Sequence, residues 1–477
     1  MGIHWVDLLI FIIYLLAMLG VGFFFLKKNE SNEDYYVGGR TLSSWHVGLS
    51  VVATDVGGGF SIGLGGLGFM MGLSGSWMLF TGLLGAWLSA VLLIPKVYPI
   101  AKEHALLTFP EALQFFYSGR VALVAGIVSF IGYIGFTSSQ ILAGAKLAAA
   151  TFPNFTINEA VLAMGIIAVA YTVMGGIKAV IYTDTIQWII LLSGLIFIGI
   201  PYSYFELGGW EVISESLPST FFSLSNVKGI QLFNWLITIL PIWFVGMTLY
   251  QRIYACKGEK DAKKAWRIAG LFEYPVMAFM GVILGLFARI AFNQGLFTAI
   301  GYGPDAAIDA ELGLPLLLSN ILPVGLMGIM MAAYFSAIMS TADSCLMAAS
   351  GNFMTDILGS FIDTSRASAV KTSRWVTLVI GALAIALATT MQNVLELMLY
   401  SYAFMVSGLF VPVLGMLFIK RPNPRAALAA MIAGGLTTLI LILSKLQLPY
   451  DLDANFFGIL ASAAAFGIFH KIKIQKA

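Results

Sequence analysis

The sequence predicts an all-α membrane protein in which 13 transmembrane helices form one domain, residues 1–477. The chain is 59% hydrophobic and only 10% charged, and its mean hydropathy is +0.90. Soluble proteins carry roughly 25% charged residues, so the composition excludes an ordinary soluble domain. A bilayer crossing needs about 20 apolar residues. The predicted spans are 5–25, 44–72, 74–98, 119–147, 157–174, 181–203, 230–251, 267–296, 313–355, 372–391, 393–418, 425–444 and 454–470.

Basic residues predict the orientation of these spans. With the N-terminus outside, all but four of the 26 lysines and arginines fall on the inner side, as the positive-inside rule requires. We therefore expect a multi-pass protein of the plasma membrane, or the inner membrane of a bacterium, with a cytoplasmic C-terminus. The first residues lack a basic leader, so 5–25 is expected to be a retained span.

Residues 313–355 are too many for one simple crossing. A proline in a helix interior removes a hydrogen bond and breaks or kinks the helix. We therefore expect this stretch to begin with a separate short helix that ends near Pro323.

A glycine-rich segment follows Asp55 within the span 44–72. Three consecutive glycines, Gly57–Gly59, each weaken a helix interior by roughly 1 kcal/mol. Such a segment either permits close helix packing or unwinds within the membrane and frees carbonyls for ligands. Because a carboxylate lies beside it in apolar surroundings, we favour the broken helix. Asp55 itself either accepts backbone donors, pairs with a base, or binds a cation or a substrate amine.

A second intramembrane carboxylate, Asp184, follows the turn predicted at Gly175–Gly176. It has two interpretations. It complements the dipole at a helix N-terminus, or it binds an ion. Its position in the sequence does not decide between them.

A stripe of hydroxyl groups and one carboxylate runs along the span 313–355. Ser336, Ser340, Asp343 and Ser344 lie at i, i+4, i+7 and i+8, so they share one helix face. Ala337 and Thr341 lie on the adjoining flank. Polar groups at membrane depth need partners, and hard oxygen atoms suit a cation.

Four segments together resemble signatures of the sodium/solute symporter family, which includes sodium-coupled glucose, proline, pantothenate, sialic acid and choline carriers. The resemblance covers nearly the whole chain, and the segments follow the family's order. Ile177 stands where leucine, methionine or phenylalanine is usual, a mild departure. The segments are Tyr36-Val-Gly-Gly-Arg-Thr-Leu42, Tyr171-Thr-Val-Met-Gly-Gly-Ile-Lys-Ala-Val-Ile-Tyr-Thr-Asp-Thr-Ile-Gln187, Gln251-Arg-Ile-Tyr-Ala-Cys-Lys257 and Ser340-Thr-Ala-Asp-Ser-Cys-Leu346.

The resemblance implies a LeuT-like core of two inverted five-helix repeats, at 44–205 and 230–418. An extra helix at 5–25 precedes the core, and two helices at 425–470 follow it. The Pro-Ile-Trp-Phe-Val-Gly stretch at 241–246 is then the candidate counterpart of the break at Gly57–Gly59.

The resemblance also implies a shared sodium site between the first core helix and the hydroxyl stripe. Its ligands all carry neutral oxygens, which suits weak, releasable binding of a monovalent cation. They are the carbonyls of Ala53, Val56 and Ala337 and the hydroxyls of Ser340 and Thr341.

Some family members hold a second sodium ion, and Asp184, Ser340, Asp343 and Ser344 match that site. Asp343 replaces what is often a serine. The replacement strengthens a second sodium site, holds a proton, or pairs with a base and binds nothing. We therefore expect one Na+ per cycle, or two if this site binds.

The solute is expected near the membrane midplane, between the two broken helices. The helix 74–98 lacks the acidic and amide groups of the family's sugar carriers, and Asp55 matches the aspartate of its proline carriers. We therefore expect an amino acid, an amine or another small zwitterion or organic cation, with a sugar or a monocarboxylate as the alternative. The candidate contacts are Asp55, Gly58, Phe60, Ser61, Trp77, Phe136, Thr137, Gln140, Trp243, Thr248, Tyr400 and Tyr402.

These expectations describe a sodium-coupled symporter that works by alternating access, and not an enzyme. An enzyme would need a nucleophile–base pair or a metal cluster at membrane depth, and the two cysteines and four histidines are scattered. A substrate sensor on a transporter fold is the other alternative. The expected partners are the solute and membrane lipids, without nucleic acid or an obligate protein partner.

Overall fold

The structure is a computed structural model that describes residues 4–26, 32–152, 155–303, 307–361 and 369–471. These residues are overwhelmingly helical and contain no strand beyond one isolated bridge between Leu42 and Cys256. The helices of the first half are α1 (Trp5–Leu26), α2 (Asn32–Val37), α3 (Ser44–Val56), α4 (Gly58–Met71), α5 (Trp77–Leu92), α6 (Ile94–Glu103), α7 (Phe109–Phe116), α8 (Gly119–Thr151), α9 (Ile157–Gly194), α10 (Ile200–Glu206) and α11 (Gly209–Ser216). Those of the second half are α12 (Gly229–Val245), α13 (Met247–Ala255), α14 (Glu259–Leu271), α15 (Ala278–Asn293), α16 (Ala310–Ile321), α17 (Leu326–Gly351), α18 (Ala369–Ala388), α19 (Val394–Phe418), α20 (Pro424–Ser444) and α21 (Ala454–Lys471).

Nine helical stretches of the described residues are long and apolar enough to cross a membrane, or ten if the bent pair α12 and α13 is one span. The all-α membrane class is therefore confirmed, whereas the predicted number of 13 helices is not. Breaks divide the chain into shorter pieces, and the apolar helices Trp5–Val21 and Ala310–Ile321 fall below the length of a crossing.

The predicted break in the span 44–72 lies at Gly57, between α3 and α4. Gly57 has φ −12° and ψ −159°, outside the helical region. A β-carbon here would lie 1.8 Å from Thr341 Oγ1. The glycine is therefore required because α17 approaches the backbone at the break.

The two other predicted breaks are also confirmed. The chain bends by 42° between α12 and α13, at Gly246, whose ψ of 115° is extended. The stretch 313–355 divides into α16 and α17, and Gly325 just before α17 has φ +90°. Only glycine adopts that conformation readily.

Helix α9 contains the predicted span 157–174 and the first part of the predicted span 181–203, which continues into α10. The hydroxyl groups of Tyr171 and Thr183 nevertheless lie 2.9 Å apart across 12 residues. In a straight helix, that separation corresponds to about 18 Å. Helix α9 is therefore sharply bent between them, which turns the chain back as the Gly-Gly turn predicted.

Helix α17 is the centre of the bundle. Within its candidate span, Leu326–Ser360, 94% of the apolar window is buried. It packs against α1, α3, α4, α8 and α9. The hydroxyl stripe of α17 thus faces protein and not lipid, which avoids the free-energy cost of exposing polar groups to hydrocarbon.

Contacts between helix ends agree with the predicted alternation of the spans. Near the start of α1, Asp7 Oδ1 accepts the backbone N–H groups of Gly325 and Gly328, both at 2.7 Å, at the start of α17. We call this the outer end, because the charge pattern predicts that it faces outside. We call the opposite end, which carries Arg40 and Asp356, the inner end.

Candidate functional site

The residues implied as the shared sodium site meet at the break between α3 and α4. Thr341 Oγ1 lies 2.9 Å from the carbonyl oxygen of Ala53 and 3.3 Å from that of Ala337. Ser340 Oγ is buried and has no hydrogen-bond partner. Val56 ends α3, and its side chain lies outside the described residues. An orphaned hydroxyl beside carbonyls freed by a helix break fits a sodium ion carried as cargo.

Two of the four residues implied as a second sodium site, Asp184 and Ser344, contact an arginine. Arg252 Nη2 lies 3.2 Å from Asp184 Oδ2 and donates to Ser344 Oγ at 2.8 Å. Its Nε donates to Ser50 Oγ at 3.0 Å, and Ser50 in turn donates to Asp184. The guanidinium is fully buried and already supplies the positive charge at this place. A sodium ion here would require Arg252 to withdraw.

Asp343 lies apart from the arginine. Its Oδ1 accepts a hydrogen bond from Thr172 on α9, and it forms no ion pair within the described part of the chain. Of the interpretations left open for Asp343, pairing with a base is therefore not what the structure shows.

A small closed cavity of about 10 Å³ lies where the two broken helices meet. That is about the volume that one water molecule needs. Four of the predicted solute contacts, Asp55, Phe136, Thr248 and Tyr402, are among the residues that line it. The lining residues are Thr54, Asp55, Tyr133, Phe136, Ile242, Gly246, Thr248, Leu249 and Tyr402.

The lining is held in place by side-chain contacts between helices. Tyr133 Oη lies 3.0 Å from Thr248 Oγ1 and accepts the backbone N–H of Thr248 at 3.1 Å. The rings of Phe136 and Tyr402 pack edge to face at 4.9 Å. The cavity is therefore a fixed pocket between α3, α8, α13 and α19.

Several predicted contacts lie near the pocket without lining it. Thr137 Oγ1 donates to the Tyr133 carbonyl within α8. A β-carbon at Gly58 would lie 3.1 Å from Gln140 Oε1, so α4 and α8 touch there. Phe60 and Ser61 belong to α4, but their side chains lie outside the described residues.

Three predicted contacts lie elsewhere. Trp77 begins α5 at the outer end, where its Nε1 donates to the carbonyl of Leu224 at 2.9 Å. Trp243 is fully buried against Trp266 and Gly85. Tyr400 is 38% exposed and donates to Glu396. Helical spacing alone did not reveal which side of the helix faces the pocket.

A wide vestibule of about 920 Å³ opens at the outer end, lined by residues of α4, α12, α15, α16 and α19. Thr238 lines it, and Ile242, one helical turn further along α12, lines the closed pocket. On α19 the neighbours Ala403 and Tyr402 line the vestibule and the pocket respectively. The vestibule therefore ends directly above the pocket.

Glu311, near the start of α16, is a buried carboxylate at the outer end. Lys146 Nζ lies 2.7 Å from Glu311 Oε2 and also contacts Asp309. Glu311 further accepts the backbone N–H groups of Val394 and Leu395, both at 2.9 Å. This carboxylate therefore ties α8 and α16 to the start of α19, where it also complements the helix dipole.

The inner end is sealed. Arg40 donates to the Leu106 carbonyl at 2.7 Å, and Thr108 donates to Asp356 Oδ1 at 2.7 Å. Glu111, in the connection between spans, accepts the N–H groups of Leu107 and Thr108. Burial raises the pKa of Glu111, and these hydrogen bonds oppose the increase. The bundle is therefore open at the vestibule end and closed at the opposite end.

Two buried ionisable residues, Arg252 and Glu273, are absent from the site residues that the sequence predicts. Glu273 is fully buried and lies within hydrogen-bonding range of Asp55. An acid inside the span 267–296 could have been singled out by the same rule that singled out Asp55.

A family model described as the sodium:solute symporter family matches residues 35–434. The chain belongs to this family. The chain is 26% identical to a sodium/glucose cotransporter of Vibrio parahaemolyticus, over 70% of this chain and 65% of that protein. It is 28% identical to sodium/myo-inositol cotransporter 2 of Homo sapiens, over 68% of this chain and 52% of that protein.

The chain thus spans between about half and two thirds of the length of these curated relatives. A solved Na+-coupled sialic acid symporter, bound to substrate in an outward-open state, covers 98% of both chains with a TM-score of 0.80 and 22% identity. This likeness establishes the fold. The family and fold implied by the four sequence segments are therefore confirmed.

Proposed function

We propose that this sodium-coupled solute symporter imports a small polyhydroxylated solute, a sugar or a cyclic polyol, by alternating access. The observation that carries sodium coupling is the contact between the break at Gly57 and the hydroxyl face of α17 at Thr341. It brings carbonyl and hydroxyl oxygens together directly beside the closed pocket, so ion and solute can stabilise one another's binding.

The solute class differs from the amino acid or amine expected from the sequence. That expectation has no support among the relatives, which are named as glucose and myo-inositol cotransporters. The pocket also suits a polyol. Asp55, Tyr133 and Thr248 offer oxygen acceptors, and the rings of Phe136 and Tyr402 offer apolar faces, the usual mixture in small-molecule sites.

In the proposed cycle, sodium binds from the vestibule and holds the break between α3 and α4 against α17. The solute then descends past Thr238 and Ala403 into the pocket, which widens to receive it. Closure of the outer end precedes release of the inner contacts of Arg40 and Thr108. Each sodium ion that moves inward gains about 2.3 kcal/mol per 100 mV of membrane potential.

We further propose that one sodium ion accompanies each solute, bound by Ala53, Val56, Ala337, Ser340 and Thr341. The buried guanidinium of Arg252 beside Asp184 and Ser344 favours this ratio. The orientation, with the N-terminus outside and the C-terminus in the cytoplasm, rests on the charge pattern and on the paired helix ends.

Uptake into proteoliposomes tests the proposal. A panel of labelled glucose, myo-inositol, proline and choline is offered with an inward sodium gradient and, in parallel, with potassium in its place. We expect sodium-driven uptake of a polyol. Uptake of proline or choline alone would overturn the solute class, and uptake without sodium would overturn the coupling.

A further inference from the structure

Glu273 is a buried carboxyl group at the bend between α14 and α15. It is fully buried, and neither of its oxygens accepts an N–H group or a hydroxyl group among the described residues. A buried charge without partners is costly and needs a reason. Glu273 forms no ion pair within the part of the chain that the structure describes.

The backbone around Glu273 fixes the direction of its side chain. Helix α14 ends at Leu271, and α15 begins at Ala278. Between them Tyr274 is extended, with φ −138° and ψ 125°, and Pro275 has no N–H group for a regular helix. Glu273 therefore lies at a further helix interruption, beside Asp55 and the break at Gly57.

Helix α5 is shaped to receive this carboxylate. A β-carbon at Gly82 would lie 1.7 Å from Glu273 Oε1 and 2.6 Å from its carboxyl carbon. Gly82 thus leaves a notch in α5 that the carboxylate fills. Even alanine at this position would displace Glu273.

The second carboxylate at this place is Asp55. It lies within hydrogen-bonding range of Glu273, and its Oδ2 also lacks a partner. Two carboxylates side by side repel each other, so the pair is stabilised when one of them holds a proton and donates it to the other. Cys345 and Tyr402 are the other ionisable groups near Asp55, and Arg252 is already paired with Asp184.

We propose that Glu273 is a solute-binding residue and that, with Asp55, it selects solutes that present two neighbouring hydrogen-bond donors. Vicinal hydroxyls of a sugar or cyclic polyol can donate to both carboxylates at once. A solute lacking one donor leaves a buried carboxylate oxygen unpartnered, and such a site rejects it strongly. The identity of the donor groups rests on the proposed function. The position of Glu273 beside Asp55, which lines the pocket, does not depend on it.

Transport kinetics test the contact. Glu273→Gln keeps the size of the side chain but replaces one carboxyl oxygen by an amide NH2 group, and the loss of one hydrogen bond to the solute lowers affinity by roughly tenfold. We expect the KM for the carried solute to rise by about that factor while the sodium concentration for half-maximal uptake stays unchanged. Glu259→Gln, the same change on the exposed start of α14, should leave both unchanged.

Monodeoxy analogues separate a contact from a merely structural role. In the parent protein, removing one donor hydroxyl should weaken uptake strongly, whereas in Glu273→Gln the same removal should cost little. Gly82→Ala should resemble Glu273→Gln. Equal losses for the analogue in both proteins would overturn the contact.

Cysteine labelling tests the place of Glu273 without any solute. Both native cysteines are buried, and their labelling in the parent protein gives the background signal. Glu273→Cys should react with a membrane-impermeant cationic thiol reagent added outside, in sodium but not in potassium, whereas Ser462→Cys on α21 should not react. Failure to label position 273 overturns the proposal even if a sugar is carried. Labelling without polyol uptake overturns only the proposed solute class.

Discussion

The guanidinium of Arg252 lies 3.2 Å from the carboxylate of Asp184, and both side chains are fully buried. Through Ser50 and Ser344 the same group also reaches α3 and α17. One side chain of α13 therefore connects four helices beneath the solute pocket. Breaking a buried ion pair by removing one partner costs about 3–5 kcal/mol, because the other charge stays buried and unpaired.

Removing either member of this pair should destabilise the protein more than removing both. Arg252→Ala leaves Asp184 without a cation, and Asp184→Ala leaves the guanidinium without an anion. We expect each single variant to lower the melting temperature in detergent clearly, and the double variant to recover part of the loss. Additive losses in the three variants would show that the two groups do not depend on each other.

The pair also bears on stoichiometry. If Arg252 fills the place of a second sodium ion, a single sodium ion should enter per solute. Reversal potentials in proteoliposomes at clamped voltage measure this ratio, and Asp343→Ser should leave it unchanged. A ratio of two that falls to one in Asp343→Ser would restore the second site and show that Arg252 moves during the cycle.

The shared sodium site should depend on Ser340 and Thr341. Ser340→Ala removes the buried hydroxyl that has no protein partner, so it should raise the sodium concentration for half-maximal uptake by roughly tenfold. Thr341→Ala should act in the same direction. Ser138→Ala is the control, because that buried hydroxyl bonds only to the Ile134 carbonyl of its own helix. An unchanged sodium dependence in Ser340→Ala would remove it from the site.

The break at Gly57 should not tolerate a side chain. In Gly57→Ala the new methyl group would lie 1.8 Å from Thr341 Oγ1, so α4 and α17 must separate where sodium binds. We expect normal membrane insertion with loss of sodium-driven uptake. Gly20→Ala on α1, where a β-carbon meets nothing within 4 Å, should retain full uptake. Near-normal transport by Gly57→Ala would show that the close approach is dispensable.

Glu311 should stabilise the outer end. Glu311→Gln keeps a hydrogen-bond acceptor for Val394 and Leu395 but loses the charge that faces Lys146. We expect faster hydrogen exchange in α16 and at the start of α19, with no change around Asp356 at the inner end. If hydrogen exchange in α16 is no faster in this variant than in the parent protein, the ion pair does not order α16.

The parts that sequence reasoning predicted are those that depend on local chemistry. Glycine and proline disrupt helices wherever they occur, so the breaks at Gly57, at Gly246 and near Pro323 could be placed from the chain alone. The hydroxyl stripe of α17 could be recognised because its polar residues recur at the spacing of one helix face.

The parts that it missed depend on partners distant in sequence. From its sequence neighbours Arg252 looks like an arginine at the inner end of a span, because its partners Asp184 and Ser344 are far away in the sequence. Glu311 looks like an exposed loop carboxylate for the same reason, since Lys146 and Val394 contact it only in the folded protein. Trp77 and Tyr400 were expected at the midplane, but the direction of a side chain around a helix depends on what packs there.

Asp7 connects the peripheral helix α1 to the central helix α17. Helix α1 precedes the family match, which begins at residue 35, yet its carboxylate accepts two N–H groups at the start of α17. The helix that bears Ser340 and Thr341 is thus held at its outer end by a residue outside the family match. Truncated forms of the protein, made for crystallisation or reporter fusions, should therefore retain Asp7.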